Sequence, residues 1–321
     1  MNATRLPGAD TMQSQAPGGV RLRLPATSAN LGPGFDAAAV ALNCFLEIEA
    51  QVAEDFSITA SGRDAERCSS MRENLVLETY KSLLRAHSAA PVPPLAVRMA
   101  NDIPLGMGLG SSAAGRLVAV VLANHFGQLG WTSGRILDEA SALEGHPDNA
   151  AACWLGGFVI AATDGSATHV AQVEPPPAWR PIVVIPNEPL ATSKARAALP
   201  ESYPRADVVA NIQSCGLLGL AFAQARGDLL RIAMSDRIHQ PYRAPICPLL
   251  GRLLPLAGHH GVLGAALSGA GPAVFVIADG DASVEPASAA IRAAIAGAPP
   301  AELLPCRFEP RGAKDSLMRL A

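Results

Sequence analysis

Two α+β domains are predicted for this 321-residue chain, on three observations. The length suffices for two units that each bury a core of their own. Strand-like and helix-like stretches intermix along the sequence rather than segregating. The segment Pro175-Pro176-Pro177-Ala178-Trp179-Arg180-Pro181 opens on consecutive prolines, which lack the N–H that a helix interior or a central strand needs, so it marks a boundary. The division that follows is a disordered tail at 1–19, a first domain at 20–176 and a second at 177–321.

The tail is rich in Pro, Gly, Gln, Ser and Thr and has no apolar stretch of the kind a signal peptide carries. Residues 21–26 read as a short strand. Residues 30–35 hold two glycines and a proline and read as a loop. Residues 36–43 are small and apolar, and 44–52 alternate as a strand does. Residues 72–86 place Leu75, Leu83 and Leu84 at helical spacing. A strand at 95–99 runs into a glycine-dense loop, then a helix at 111–124 and another at 132–143 capped by Thr132 or Ser133. Past the prolines, 182–185 is a buried strand, 207–225 and 229–235 are helices, and 264–267 and 274–278 are strands around a glycine turn. No repeat indicates a solenoid.

Composition narrows the function classes. The apolar fraction is 49% with only 4% aromatics, which implies an aliphatic core. The net charge of −3 carries no global signal for nucleic acid or an acidic membrane. No 18-residue apolar run is found, so no transmembrane helix is expected. The six cysteines are irregularly spaced with no C-x-x-C pair, which reads as free thiols in a reducing, cytoplasmic setting.

The sharpest feature is Pro104-Leu105-Gly106-Met107-Gly108-Leu109-Gly110-Ser111-Ser112-Ala113-Ala114. Glycine at every second position lets the backbone turn tightly and approach a ligand. The two serines then open a helix, whose start offers unpaired N–H groups and the positive end of its dipole to an anion. It is not a Walker A loop, because that needs a lysine after its glycines, and Lys81, Lys194 and Lys314 all lie elsewhere. A plain serine-capped glycine turn is the alternative reading of the spacing, and the anion site is the favoured one. As a string, it closely resembles the ATP-binding motif of the GHMP kinases, in the form found in their homoserine-phosphorylating members.

Four further motifs follow in the family's order. Pro25-Ala26-Thr27-Ser28-Ala29-Asn30-Leu31-Gly32-Pro33-Gly34-Phe35-Asp36 is a loop with an amide and a carboxylate six residues apart. On its own it would be an Asx-turn and a helix cap. The resemblance puts Asn30 in hydrogen-bond contact with the substrate and Asp36 against an amino-acid ammonium. Glu144-Gly145-His146-Pro147-Asp148-Asn149 gathers two acids, an imidazole and an amide. A magnesium-bound nucleotide calls for hard oxygen ligands, and the resemblance gives Glu144 that role together with Ser112. Asp138 and Glu139 stand nearby. Asp148 matches the position of a catalytic aspartate in other members, with Glu144 and Asn30 also in the catalytic set. His146 and Asn149 would shape the hydroxyl end of the pocket. A zinc site is poorly supported by one histidine and two acids.

Thr192-Ser193-Lys194-Ala195-Arg196 and Met234-Ser235-Asp236-Arg237-Ile238-His239-Gln240-Pro241-Tyr242-Arg243 resemble the carboxylate-binding regions. Thr192, Arg196 and Arg243 carry over to the substrate, a planar guanidinium being suited to hold a carboxylate through two parallel bonds. Gly264-Ala265-Ala266-Leu267-Ser268-Gly269-Ala270-Gly271-Pro272 resembles the family's C-terminal glycine motif, expected to pack beside the phosphate loop.

The resemblance implies a ribosomal protein S5 domain 2-like N-terminal domain and a ferredoxin-like C-terminal domain. ATP and Mg2+ would lie between them. The implied reaction phosphorylates the L-homoserine hydroxyl to O-phospho-L-homoserine, a step of threonine biosynthesis. Whether Asp148 is a base or only orients the hydroxyl is left open. So are feedback by threonine and a homodimer, for which the sequence shows no interface signal. Two rival readings are a family member acting on another small alcohol and an inactive nucleotide-binding paralogue.

Overall fold

The computed structural model describes residues 18–320, so most of the expected tail lies outside the described residues. The first domain opens with β1 (Val20–Asn30) and β2 (Gly34–Val52), joined by a turn so tight that Asn30 pairs with Gly34. These are longer than the sequence reading allowed: β1 runs four residues past the predicted strand, to the first residue of the predicted loop, and 36–43 belongs to one continuous strand with 44–52. The alanines there have weak strand preference. Pairing fixes them, with Ala39 and Val40 held between β1 and β5 (Phe158–Thr163).

Between β2 and β5 come β3 (Ser57–Gly62), α1 (Ala65–Ser69), α2 (Leu75–His87) and β4 (Leu95–Asn101). Then follow α3 (Ser111–Phe126), α4 (Ser133–Glu144) and α5 (Asp148–Leu155). α2 and α4 carry side-chain caps from Asn74 and Thr132. α5 is not predicted by the sequence: its eight residues, three of them alanine, are too few to show a periodicity. β6 (Thr168–Val173) and a final strand, β11 (Met318–Arg319), complete a seven-stranded sheet ordered β11-β1-β2-β4-β3, with β5 on β2 and β6 on β5. Only the β3–β4 pair is parallel.

The second sheet begins at β7 (Trp179–Pro186) and is followed by α6 (Thr192–Ala197) and α7 (Arg205–Ala223). The short helices α8 (Leu230–Ala233), α9 (Gln240–Arg243) and α10 (Leu250–Leu253) lead to β8 (Val262–Leu267) and β9 (Val274–Asp279). α11 (Val284–Ala294), β10 (Ala301–Pro305) and α12 (Ala313–Ser316) precede β11. All pairs are antiparallel and the order is β10-β7-β9-β8. In chain order that is 4-1-3-2 with helices in both crossovers, the ferredoxin-like pattern. Successive residues of β7 face opposite ways. Ile182 and Val184 join a core with Leu250, Leu253 and Ile291, while Val183 and Ile185 join the core shared with the first domain. Phe158 of β5 and Phe222 of α7 stack at 4.1 Å between the two sheets.

Two expectations need amending. The second domain does not simply run to the last residue, because α12 packs on β1 and β11 extends the first sheet. α7 is also long and apolar enough, by length and composition, to cross a bilayer. Here its Leu218, Ala221 and Phe222 are buried, and Val209, Ile212 and Leu220 are exposed. The six cysteines are free, as expected.

Candidate active site

The glycine-dense segment is the loop between β4 and α3. Gly106, Gly108 and Gly110 all have positive φ. At Gly108 a Cβ would sit 2.2 Å from the Ser268 carbonyl oxygen, and at Gly110 1.9 Å from Thr27 Oγ1, so two neighbours press on the loop where only glycine fits. The Ser268 hydroxyl donates to the Gly108 carbonyl at 2.7 Å, and the Ala273 N–H to that of Met107 at 3.3 Å. The C-terminal glycine motif thus packs beside this loop. Gly110 caps α3, whose first residues are Ser111 and Ser112, and the unpaired N–H groups of that first turn sit at the cavity wall.

All the candidate substrate and metal residues line the cavity below this turn, which measures about 110 Å³: Asn30, Asp36, Ser112, Glu144, His146, Asp148, Asn149, Thr192, Arg196 and Arg243. Of the phosphate loop, Gly106, Gly108, Gly110 and Ser111 line it too. Leu105 and Ala114 face the neighbouring cavity. Pro104, Leu109 and Ala113 are buried, and with half-buried Met107 they line neither cavity.

At the phosphate end, the Ser112 hydroxyl donates to Glu144 at 3.2 Å, and Arg116 holds the other Glu144 oxygen at 2.5 Å. Two hard oxygen donors therefore stand side by side, a set suited to magnesium. Asp138 and Glu139 face elsewhere, Asp138 accepting from the Thr168 N–H and Glu139 pairing with Arg135. Asp148 opens α5 and is wholly buried. Its Oδ1 accepts from Asn149 N–H at 2.6 Å and lies 2.6 Å from His146 Nδ1. Its Oδ2 is buried with no partner. A buried carboxylate oxygen left unpaired is costly, so Oδ2 is the acceptor most in need of a ligand. Burial pulls the His146 pKa down, but the hydrogen bond to Asp148 and the charges of Asp148, Asp36 and Glu144 outweigh it, and the net shift is upward.

At the other end, Arg196 donates two bonds to Asp36, at 3.0 and 2.9 Å, across 160 residues of sequence. That bidentate bond, and burial only partly against it, raises the Arg196 pKa. Arg243 is 1% exposed. It donates to the carbonyls of Ala195 (3.2 Å) and Gly269 (3.3 Å) and to His239 Nδ1 (3.2 Å), none of them an anion. Burial, reinforced by the charge of Arg196, lowers its pKa, as expected of a cation short of counter-charge. Asn30 is largely committed to the protein: its Nδ2 donates to the Gly269 carbonyl at 2.8 Å and its Oδ1 accepts from the Asp36 N–H at 3.0 Å. It fixes Asp36 as well as lining the cavity.

Sequence reasoning missed two groups. Phe35 stands directly before Asp36 in the first motif, where nothing in the sequence marks it as functional. Its ring lies under both arginines, 5.7 Å from Arg196 and 5.3 Å from Arg243. The second group lines a larger cavity of about 560 Å³ that shares Gly106, Ser111 and Ser112 with the first. Its further walls include Arg67, Cys68, Arg72, Asn74 and Asn101. No local motif marks this stretch.

Comparison with known proteins bears on the whole chain. Residues 74–157 match the GHMP kinases N terminal domain, and residues 220–297 match GHMP kinases C terminal. The homoserine kinase of Solibacter usitatus is 44% identical over 256 residues, covering 79% of this chain and 84% of that one. The homoserine kinase of Deinococcus radiodurans is 39% identical over 258 residues, covering 80% and 84%. The crystal structure of homoserine kinase from Cytophaga hutchinsonii superposes with a TM-score of 0.79 over 94% of this chain and 98% of that one, at 23% identity.

Proposed function

The chain belongs to the homoserine kinases of the GHMP kinase family, and we propose that its cleft carries the γ-phosphoryl group of ATP to the side-chain hydroxyl of L-homoserine as follows. The observation that carries this reading is the polarity of one cavity. A helix start suited to phosphate forms one wall, an unpaired buried carboxylate oxygen lies beside it, and an acidic and two basic side chains suited to a zwitterion form the far wall.

The Asp36–Arg196 pair is the key to substrate entry. Homoserine brings one ammonium and one carboxylate. Its ammonium takes Asp36 and its carboxylate takes Arg196 and Arg243, so the existing ion pair is exchanged for two new ones rather than lost. Arg243 gains the anion that its buried position lacks. Phe35 supports both guanidinium planes from below.

With both charged ends fixed, the hydroxyl points toward Asp148, and Oδ2 accepts its hydrogen bond. As the new O–P bond forms and the bond to the ADP oxygen breaks, the hydroxyl proton passes to an oxygen of the transferred phosphoryl group and leaves with the product. Phosphoryl transfer leans on positioning more than on proton abstraction. Asp148, with His146 drawing on its other oxygen, serves mainly to aim the hydroxyl. The triphosphate lies along the glycine loop and the α3 N-terminus, and the nucleoside occupies the larger cavity beside Asn74 and Asn101. Ser112 and Glu144 would hold magnesium, which supplies charge neutralisation for the phosphates when bound. The six free thiols support the expected reducing, cytoplasmic setting.

The test is ADP release with L-homoserine, mevalonate, galactose or no acceptor. Turnover dependent on homoserine is expected. Equal turnover with mevalonate or galactose would contradict the assignment, and so would ADP release indifferent to any acceptor.

A further inference from the structure

His239 performs no step of the mechanism above, yet it is fully buried at the point where three site elements meet. Its Nε2 lies 2.8 Å from the Gly32 carbonyl oxygen, and its Nδ1 3.2 Å from Arg243 Nη1. Its ring stacks on Phe35 at 5.3 Å, with planes 25° apart. The backbone around it is pinned by Asp236, whose carboxylate accepts from the N–H groups of Ile238, His239 and Gln240 at 3.0, 2.9 and 2.6 Å. The turn it grips is unusual, since Asn30, Leu31 and Gly32 all have positive φ, a conformation that asks for support from outside.

Donor and acceptor chemistry fixes the state of the ring. A guanidinium has five donors and no acceptor, so Nδ1 must present its lone pair to Arg243. A carbonyl oxygen only accepts, so Nε2 must carry the hydrogen. Both contacts are satisfied together by the neutral Nε2–H tautomer alone. An imidazolium would set an N–H against the guanidinium.

We infer that His239 is a positioning residue for the acceptor substrate: through its two ring nitrogens it ties the Asn30–Phe35 turn to Arg243 and holds the guanidinium at the reach a carboxylate requires. This rests on the reading of Arg243 as a carboxylate clamp. It touches neither the reacting atoms nor the nucleotide.

Two substitutions separate its two bonds. In His239→Asn the amide oxygen stands near the place of Nδ1 and can still accept from Arg243. In His239→Gln the amide nitrogen reaches toward Gly32 and the acceptor for Arg243 is lost. Steady-state kinetics of the full chain should show the KM for homoserine raised about tenfold or more in His239→Gln, with kcat and the KM for ATP within about threefold of the parent. His239→Asn, which keeps the acceptor for Arg243 and loses only the Gly32 bond, should raise the homoserine KM by a smaller factor of about threefold, with kcat and the KM for ATP unchanged. Equal KM increases in both variants, or none in either, would overturn the proposal. Arg243→Ala separates this from the underlying reading: if it leaves the homoserine KM unchanged, the clamp itself is wrong. Should the His239 variants fail to fold, 15N NMR of the unsubstituted protein at pH 7 gives the tautomer directly. The Nε2–H form is expected, and an Nδ1–H form or an imidazolium would refute it.

Discussion

The two ends of the cleft are built from different materials. The phosphate end is mostly main chain: a glycine turn, a helix start and a second glycine turn wedged against the first, with Ser268 and Gly108 bonded across 160 residues. The acceptor end is mostly side chain: Asp36, Arg196 and Arg243 come from three separated segments and rest on Phe35 and His239. A backbone site tolerates almost no added volume but needs no particular charge. A side-chain site tolerates modest shape change but fails when one charge is left alone. Substitutions at the two ends should therefore fail in different ways.

The largest effect is expected at Gly108. Alanine there pays about 1–2 kcal/mol for a left-handed backbone and also collides with the Ser268 carbonyl. Both glycine turns must move, and kcat/KM for ATP should fall by roughly 10²-fold or more, since displacements near 1 Å cost that much. Unchanged ATP kinetics would show that the loop is not the phosphate cradle. Next comes Asp148. Alanine should lower kcat about 10²-fold by releasing the hydroxyl, whereas asparagine, which keeps an acceptor oxygen, should retain activity within about tenfold. If asparagine is as damaging as alanine, Asp148 is a proton acceptor and not an aiming group. Arg196→Ala belongs wholly to the acceptor end. It should raise the homoserine KM about tenfold or more while kcat and the KM for ATP stay near normal. An unchanged homoserine KM removes Arg196 from the clamp.

The smallest effect concerns pH. The folded-state pKa of His146 is raised, so its charged form contributes stability fully present below the unfolded value near ~6.5 and lost as pH rises through the folded value. The melting temperature of His146→Gln should therefore fall short of the parent's by about 1–2 °C at pH 6, and the gap should narrow by pH 8.5. A gap that is constant with pH would mean that His146 is not charged beside Asp148 in the folded protein.

The same contrast explains what the sequence disclosed. The phosphate loop was legible because its logic is local: glycine spacing, serine cap and helix start lie within eleven consecutive residues. The candidate acceptor residues were named by motif resemblance, but their arrangement was not legible. Nothing near Arg196 in sequence points to Asp36, and nothing near His239 points to Gly32, because those bonds are made by the packing of two domains. The unpaired oxygen of Asp148 was hidden for a related reason, since α5 was missed and its burial with it. β2 was read in two pieces because alanine gives little strand signal, and its partners on both sides supply what its composition does not. The stretch around Arg72 and Asn74, which walls the larger cavity, carries a helical pattern but no chemical motif, and only the fold places it beside the glycine loop.

The most direct test of the account is a comparison of kcat/KM for L-homoserine with two analogues that each lack one charge, homoserinol without the carboxylate and 4-hydroxybutyrate without the ammonium. A cleft that grips both ends of a zwitterion predicts losses of roughly 10²-fold or more for each, with the loss for homoserinol cut by about tenfold in Arg196→Ala, where Arg243 alone still holds the carboxylate. Analogues that turn over within about threefold of homoserine would contradict it.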